Sequence, residues 1–142
     1  MSHTPDQKLH SKALNALARR EHSRLELARK LNHLSHDTTQ IEQLLDQFSA
    51  RGWQSDHRFA ASYCSSRAAR YYGPRKIRYE LEERGIAPEL ISETFLHCGI
   101  DWQALAEKTR QRKFGSAQPS TWAEQAKQRQ YLYQRGFYTQ TT

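Results

Sequence analysis

The amino-acid sequence predicts an all-α protein, built as three tandem three-helix repeats in an elongated, curved array whose last repeat falls short of a complete final helix. Three observations lead there. The inventory favours helix over sheet: there is no valine and there are five isoleucines, against fifteen alanines, fourteen leucines, thirteen glutamines and fifteen arginines. Apolar residues recur at i, i+3, i+4 and i+7 through most of the chain. The chain also matches itself at an offset of about fifty residues, the mark of a repeat architecture.

The elements follow in order. Residues 1–8 carry no apolar face and are expected to be a disordered arm. The first repeat, 9–54, opens with a helix that places Leu9, Ala13, Leu14 and Leu17 on one face. It ends before Ser23, which forms a capping box with Glu26 and starts a helix carrying Leu27, Leu31 and Leu34. The segment Asp37 to Arg51 follows with Ile41, Leu44, Leu45 and Phe48, and Gly52 stops it. The second repeat, 55–100, starts at Asp56 with a helix bearing Phe59, Ala60, Tyr63 and Cys64. Gly73-Pro74 opens the next, which carries Ile77 and Leu81 and ends at Arg84-Gly85, and Pro88 opens one with Leu90, Ile91, Thr94, Phe95 and Cys98 on one face. The third, 101–142, has a helix from Asp101 with Trp102, Leu105 and Ala106. After a loop to Pro119, the Thr121-x-x-Glu124 box starts a longer helix that runs to Arg135-Gly136.

Overlaying the rounds tests the repeat. At an offset of 51, Lys76, Arg78, Leu81, Arg84 and Gly85 coincide with Lys127, Arg129, Leu132, Arg135 and Gly136. At an offset of 50, Leu27, Leu31 and Ile41 coincide with Ile77, Leu81 and Ile91. Units this small sit near the lower limit for independent folding, so neighbours must share an interface. An apolar content of 37% argues against one thick core.

Composition also narrows the functional classes. The net charge of +7 predicts attraction to polyanions or to an acidic protein surface. Cys64 and Cys98 give no disulfide framework and read as buried thiols of a reducing compartment. No apolar run approaches the ~20 residues of a membrane span and no secretion signal is seen, so a soluble, cytoplasmic, monomeric protein is expected. Glu82-Glu83 point about 100° apart on a helix and cannot serve one reacting centre. His33 and His36 stand near a helix end without a carboxylate cluster, and no phosphate loop, nucleophile elbow or zinc-protease motif occurs. The expectation is a protein that is not an enzyme, with no catalytic residue, metal or cofactor.

Basic clusters are what stand out. Residues 67–79 hold Arg67, Arg70, Arg75, Lys76 and Arg78, no carboxylate, and the tyrosines Tyr71, Tyr72 and Tyr79. Cations can neutralise phosphates while aromatic faces stack on bases. Lys108, Arg110, Arg112 and Lys113 make a second cluster, and Arg129 and Arg135 with Tyr131 and Tyr133 a third. Together they could form a stripe matched to a helical polyanion or to an acidic groove of a filament. The bland alternative for each is a solvated face whose tyrosines pack into helix seams. The pair of helices joined at Tyr72-Gly73-Pro74 can also be read as a helix-turn-helix presenting Arg75, Lys76, Arg78 and Tyr79, although a similar joint at His22-Ser23 makes it architectural first. A stand-alone DNA- or RNA-binding helical protein is therefore the rival reading, and a plain helical adaptor a third.

A family resemblance rests on several of these motifs together. Arg19-Arg20-Glu21-His22-Ser23-x-x-Glu26-Leu27-x-x-Lys30-Leu31, then Asp56-x-x-Phe59-Ala60-x-x-Tyr63, then Tyr72-Gly73-Pro74-x-x-Ile77-x-x-Glu80-Leu81-x-x-Arg84-Gly85-Ile86, resemble the RecX proteins. Arg112-Lys113-Phe114-Gly115 and Tyr131-Leu132-x-x-Arg135-Gly136-Phe137 continue the match to nearly the whole chain. The resemblance implies three three-helix repeats and a regulator of the RecA recombinase. Such a regulator binds RecA filaments on single-stranded DNA along their groove and suppresses ATP hydrolysis, strand exchange, co-protease activity and filament extension. It implies RecA as partner and no catalytic residue, while the basic runs add single- or double-stranded DNA as a direct partner. The short C-terminal end departs from the family pattern. Nominating Arg67, Arg70, Tyr71, Tyr72, Arg75, Lys76, Arg78, Lys108, Arg112, Lys113 and Arg129 as the binding surface rests on charge clustering, not on the resemblance.

Overall fold

Capping side chains and prolines mark where the helices begin. The computed structural model describes residues 5–35 and 37–139, which form eight helices and no strand: α1 (Pro5–Arg19), α2 (Arg24–Leu31), α3 (Thr38–Ala50), α4 (Asp56–Ala69), α5 (Pro74–Glu83), α6 (Pro88–His97), α7 (Trp102–Phe114) and α8 (Trp122–Gln134). Ser23 caps α2 through a complete box, its hydroxyl accepting from the Glu26 amide at 3.1 Å while the Glu26 carboxylate accepts from the Ser23 amide at 3.0 Å. Asp37, Asp101 and Thr121 accept from the amides of Gln40, Ala104 and Glu124. Pro74 and Pro88 open α5 and α6 with the φ a first turn needs.

Two starts differ from expectation. α1 begins at Pro5, inside the segment 1–8 expected to be an arm, because a proline costs nothing at the first helical position; residues 1–4 lie outside the described residues. Ser55, not Asp56, caps α4, its hydroxyl accepting from the Arg58 amide at 3.1 Å. Asp56 is thereby free to accept from the Arg24 amide at 2.8 Å and the Gln54 side chain at 3.0 Å, and so to join the first unit to the second.

Helices α1–α3 pack on one another, as do α4–α6, and α7 packs on α8. The first core holds Leu9, Ala13, Leu27, Leu31, Ile41, Leu45 and Phe48, and the second Phe59, Ala60, Cys64, Ile77, Leu81, Ile86 and Ile91. Leu14, expected on the inner face, is instead largely exposed, and Ala16 takes its place. The overlaid trios Leu27/Leu31/Ile41 and Ile77/Leu81/Ile91 are all buried, as equivalent positions of a repeat should be.

The third unit leans on the second. Ile100, Trp102 and Leu105 pack against the second core, and α8 buries none of its residues. The accessible surface of 9376 Å² exceeds the ~7,600 Å² of a compact chain of this mass, as expected where small cores succeed one another. None of the helices among the described residues is long and apolar enough to cross a membrane.

Candidate functional site

The basic run 67–79 lies at the seam between the second and third units. α4 ends in a Schellman turn: the Tyr71 amide donates to the Ala68 carbonyl at 2.9 Å and the Tyr72 amide to the Arg67 carbonyl at 3.2 Å. Tyr71 occupies the left-handed position at φ 68°, where glycine is usual. That turn aims the rings of Tyr71 and Tyr72 away from each other's partners. The Tyr71 ring lies under two cations of α7, with the Arg112 guanidinium 4.6 Å and the Lys108 ammonium 5.9 Å from its centroid. These two are one turn apart on the helix, which is why both reach the same ring.

Tyr72 sits between guanidinium groups, with Arg67 at 3.8 Å and Arg135 at 4.0 Å from its centroid. Arg67 in turn forms two parallel hydrogen bonds to the Glu80 carboxylate, at 3.1 and 3.0 Å, which neutralise its charge. Arg135 donates to the carbonyl oxygens of Tyr71 at 3.1 Å and Arg70 at 2.6 Å. The chain after α8 then runs along the α4–α5 joint: the Gly73 amide donates to the Arg135 carbonyl and the Arg75 amide to the Gly136 carbonyl, both at 2.8 Å. Phe137, only 2% exposed, anchors the end.

The nominated residues therefore divide. Arg67, Tyr72, Arg75 and Lys76 form the seam. The Arg75 guanidinium lies 3.9 Å from the Tyr133 ring centroid and donates to the Tyr133 carbonyl, while its Nε is buried with no hydrogen-bond partner. Arg78 packs over Phe95 at 4.4 Å. The face a helix-turn-helix would present is thus partly covered by the α8 end, with Tyr79, 62% exposed, left in solvent. Arg129 lines a separate polar cleft of about 330 Å³ with Gln118, Gln125, Gln128 and Arg110. Arg110 is buried and bonded to Glu107, whose carboxyl it holds down at about 2, with help from the Gln111 amide.

What remains open to a partner is Arg70, Lys108, Arg112 and Lys113, with Tyr71 half-buried beneath two of the α7 cations. Arg70 and the three α7 cations are exposed, and none pairs with a carboxylate among the described residues. They straddle the seam, Arg70 and Tyr71 from the second unit and the α7 cations from the third. Charge clustering places Arg135 in the third basic cluster but leaves it out of the nominated surface, and its match to Arg84 in the repeat overlay was the signal for a role at the joint. Charge clustering missed Glu80, one residue beyond the carboxylate-free window. Among the described residues no group of His, Cys, Asp or Glu could hold a metal ion; His36 lies outside them.

Comparison with known proteins assigns this architecture to a family. A family model described as the second three-helix domain of RecX matches residues 55–94, and one for the third three-helix domain matches 100–141. The regulatory protein RecX of Pseudomonas fluorescens strain SBW25 is 43% identical over 125 residues, 88% of this chain and 81% of its own. The chain belongs to the RecX family. Regulatory protein RecX of Halorhodospira halophila is 40% identical, covering 88% of this chain and 78% of its own, and that of Serratia proteamaculans 35%, covering 90% and 89%. A crystal structure of a regulatory protein RecX superposes with a TM-score of 0.77 at 25% identity, over 94% of this chain and 68% of that one. RecX from Lactobacillus salivarius, at 24% identity and a TM-score of 0.76 over 94% and 89%, shares the fold. RecX-family membership makes this chain a regulatory protein, and on the surface around Tyr71 the exposed cations are not committed to its own carboxylates.

Proposed function

We propose that this chain binds RecA filaments assembled on single-stranded DNA, lies in their groove as a monomer, and inhibits RecA ATP hydrolysis, strand exchange, co-protease activity and filament extension. The observation that carries the reading, beside family membership, is the exposed group of Arg70, Lys108 and Arg112 around Tyr71, continued by Lys113 over the Tyr131 ring, without a neutralising carboxylate. Units taken as 9–54, 55–100 and 101–142 would present this face across the second seam. An elongated array suits a helical partner, because successive units meet successive protomers. Inhibition requires tighter binding to the inactive filament state than to the active one. No cofactor enters the reading, and the protein acts by occupancy.

The test is ATP hydrolysis by RecA on single-stranded DNA, titrated with this protein at near-physiological salt, beside binding to the bare DNA. Inhibition below one protein per RecA, with weak binding to bare DNA, is the expected result. The double variant Lys108→Glu/Arg112→Glu should weaken inhibition at least about tenfold and flatten its salt dependence. Tight binding to bare DNA without any effect on RecA would replace this reading with that of a stand-alone nucleic-acid-binding protein.

A further inference from the structure

The first unit carries a cationic groove that the Tyr71 surface does not use. It lies between α1 and α2, encloses about 600 Å³, and is lined by Lys8, Lys12 and Arg19 from one face of α1 and by Lys30 from α2, over a floor that includes Ala16 and Leu34. No carboxylate and no Phe, Tyr or Trp lines it. Leu34 is 44% exposed there, an apolar side chain left without cover.

One cation of the groove is fixed from beneath. His22 is buried, and its Nδ1 lies 3.0 Å from the Arg20 carbonyl oxygen, to which it must donate. That tautomer leaves a lone pair on Nε2, which accepts from the Lys30 ammonium at 2.8 Å. Lys30 is thus held in place without losing its charge to a carboxylate, and Lys8, Lys12 and Arg19 likewise have no ion-pair partner among the described residues.

We infer that this groove is a docking site for an acidic amphipathic helix of a protein partner, independent of the cationic face around Tyr71. Charge complementarity selects the occupant. From Lys8 to Arg19 the groove runs about 16 Å, or three turns, so a helix laid along it can set carboxylates at the rim and leucine-type side chains on Ala16 and Leu34. Single-stranded nucleic acid fits less well, since no large aromatic ring offers a base a stacking surface, and phosphates gain nothing from an apolar floor.

The test uses the full chain and a fluorescent helical peptide of about 18 residues, with glutamates on one face and leucines on the other, read by anisotropy. Two controls accompany it: the same composition shuffled so that leucines share no face, and an oligothymidylate. Binding of the amphipathic peptide is expected, weakening at least about tenfold between about 50 and about 300 mM salt. Lys8→Glu/Lys12→Glu, both exposed positions, should lose at least about tenfold in affinity, and Leu34→Ser should lose affinity without changing the salt slope. RecA inhibition by Lys8→Glu/Lys12→Glu separates this site from the filament reading, because loss of peptide binding with inhibition retained supports two independent surfaces. Four results would overturn the inference: no binding, equal binding of the shuffled peptide, displacement by the oligothymidylate with equal sensitivity to the variants, or self-association of the chain that the same variants abolish.

Discussion

Gly136 lies against Lys76 so closely that a β-carbon on the glycine would overlap the lysine's β-carbon and stand 2.9 Å from its amide nitrogen. The same contact occurs one unit earlier, where a β-carbon on Gly85 would stand 2.9 Å from that of Leu25. The two pairs are related to each other by the offset of 51 found in the sequence overlay. In each seam, the end of one unit's middle helix returns to the start of the preceding unit's middle helix. The recurring Arg-Gly is thus the joint of the array.

Replacing this glycine should therefore loosen the joint more than an exposed substitution would. Gly136 adopts φ 99° and has no room for a β-carbon, so Gly136→Ala meets backbone strain and overlap together. Gly73, across the seam, has an ordinary φ but would put its β-carbon 2.5 Å from the Gly136 carbonyl carbon and oxygen. Each alanine variant should cost about 2 kcal/mol or more in urea unfolding. Ala substitution at Gly52, also at positive φ but with open space around it, should cost only about 1 kcal/mol. Equal losses at all three positions would mean that the close approach does not matter.

Tyr71 separates backbone cost from side-chain benefit. Its left-handed conformation costs about 1–2 kcal/mol for a residue with a β-carbon, and its ring recovers stability under Arg112 and Lys108. Tyr71→Gly should leave stability within about 1 kcal/mol of the parent, because strain and ring are lost together. Tyr71→Ala keeps the strain and loses the ring, and should be the less stable of the two by about 1 kcal/mol. Differential scanning calorimetry of the pair decides it. An alanine variant as stable as the glycine variant would show that the strain is not there.

The fold was legible because each helix announces its own start and its buried face locally. The Ser23–Glu26 box, Pro74 and Pro88 do what their spacing predicts, and the leucine and isoleucine positions of the two overlaid units are buried. The binding surface was legible only in part. Counting cations in a window correctly flags 67–79 as unusual, but it cannot see that Arg67 pairs with Glu80 or that Arg135, far along the chain, closes over Tyr72. Those partners are set by how the units dock, which local spacing does not encode. Tyr71 was nominated as a stacking surface, and its ring is already occupied by α7 cations. The groove on α1 escaped notice because Lys8, Lys12 and Arg19 are spread over three turns and never form a dense run.

The two thiols should react unequally. Cys64 lies fully inside the second core, and burial, reinforced by the nearby Cys98, pushes its thiol up to about 12. Cys98 is half-buried at the end of α6, donating to the Phe95 carbonyl at 3.3 Å. Native protein treated with iodoacetamide at pH 8 should carry the label on Cys98 first, with Cys64 labelled only on unfolding. Peptide mapping by mass spectrometry reads the order, and early labelling of Cys64 would contradict its place in the core.

His22 should make the first seam sensitive to mild acid. Burial lowers its pKa below the ordinary 6.5, and the neighbouring Arg20 and Lys30 charges add to this, while the Arg20 carbonyl and Glu26 oppose it. The folded chain therefore resists taking up a proton that the unfolded chain accepts. By linkage, the contribution of His22 to stability is complete above pH 6.5 and is lost as pH falls from there through the lower folded value. Glu26 does not confuse this window, since its carboxyl, although partial burial opposes the shift, is held below its ordinary 4.5 by hydrogen bonds from Arg20 and Ser23 and acts at more acid pH. Protonation at Nε2 would also remove the lone pair that holds Lys30, setting two positive groups against each other where the unit boundary is closed by the Gln54 side chain on the His22 carbonyl. Urea midpoints measured at intervals from pH 7.5 to pH 5, for the parent and for His22→Gln, isolate the histidine's contribution. The parent's advantage should shrink steadily below pH 6.5, and an advantage that stays constant across the range would show that His22 takes up its proton equally in both states.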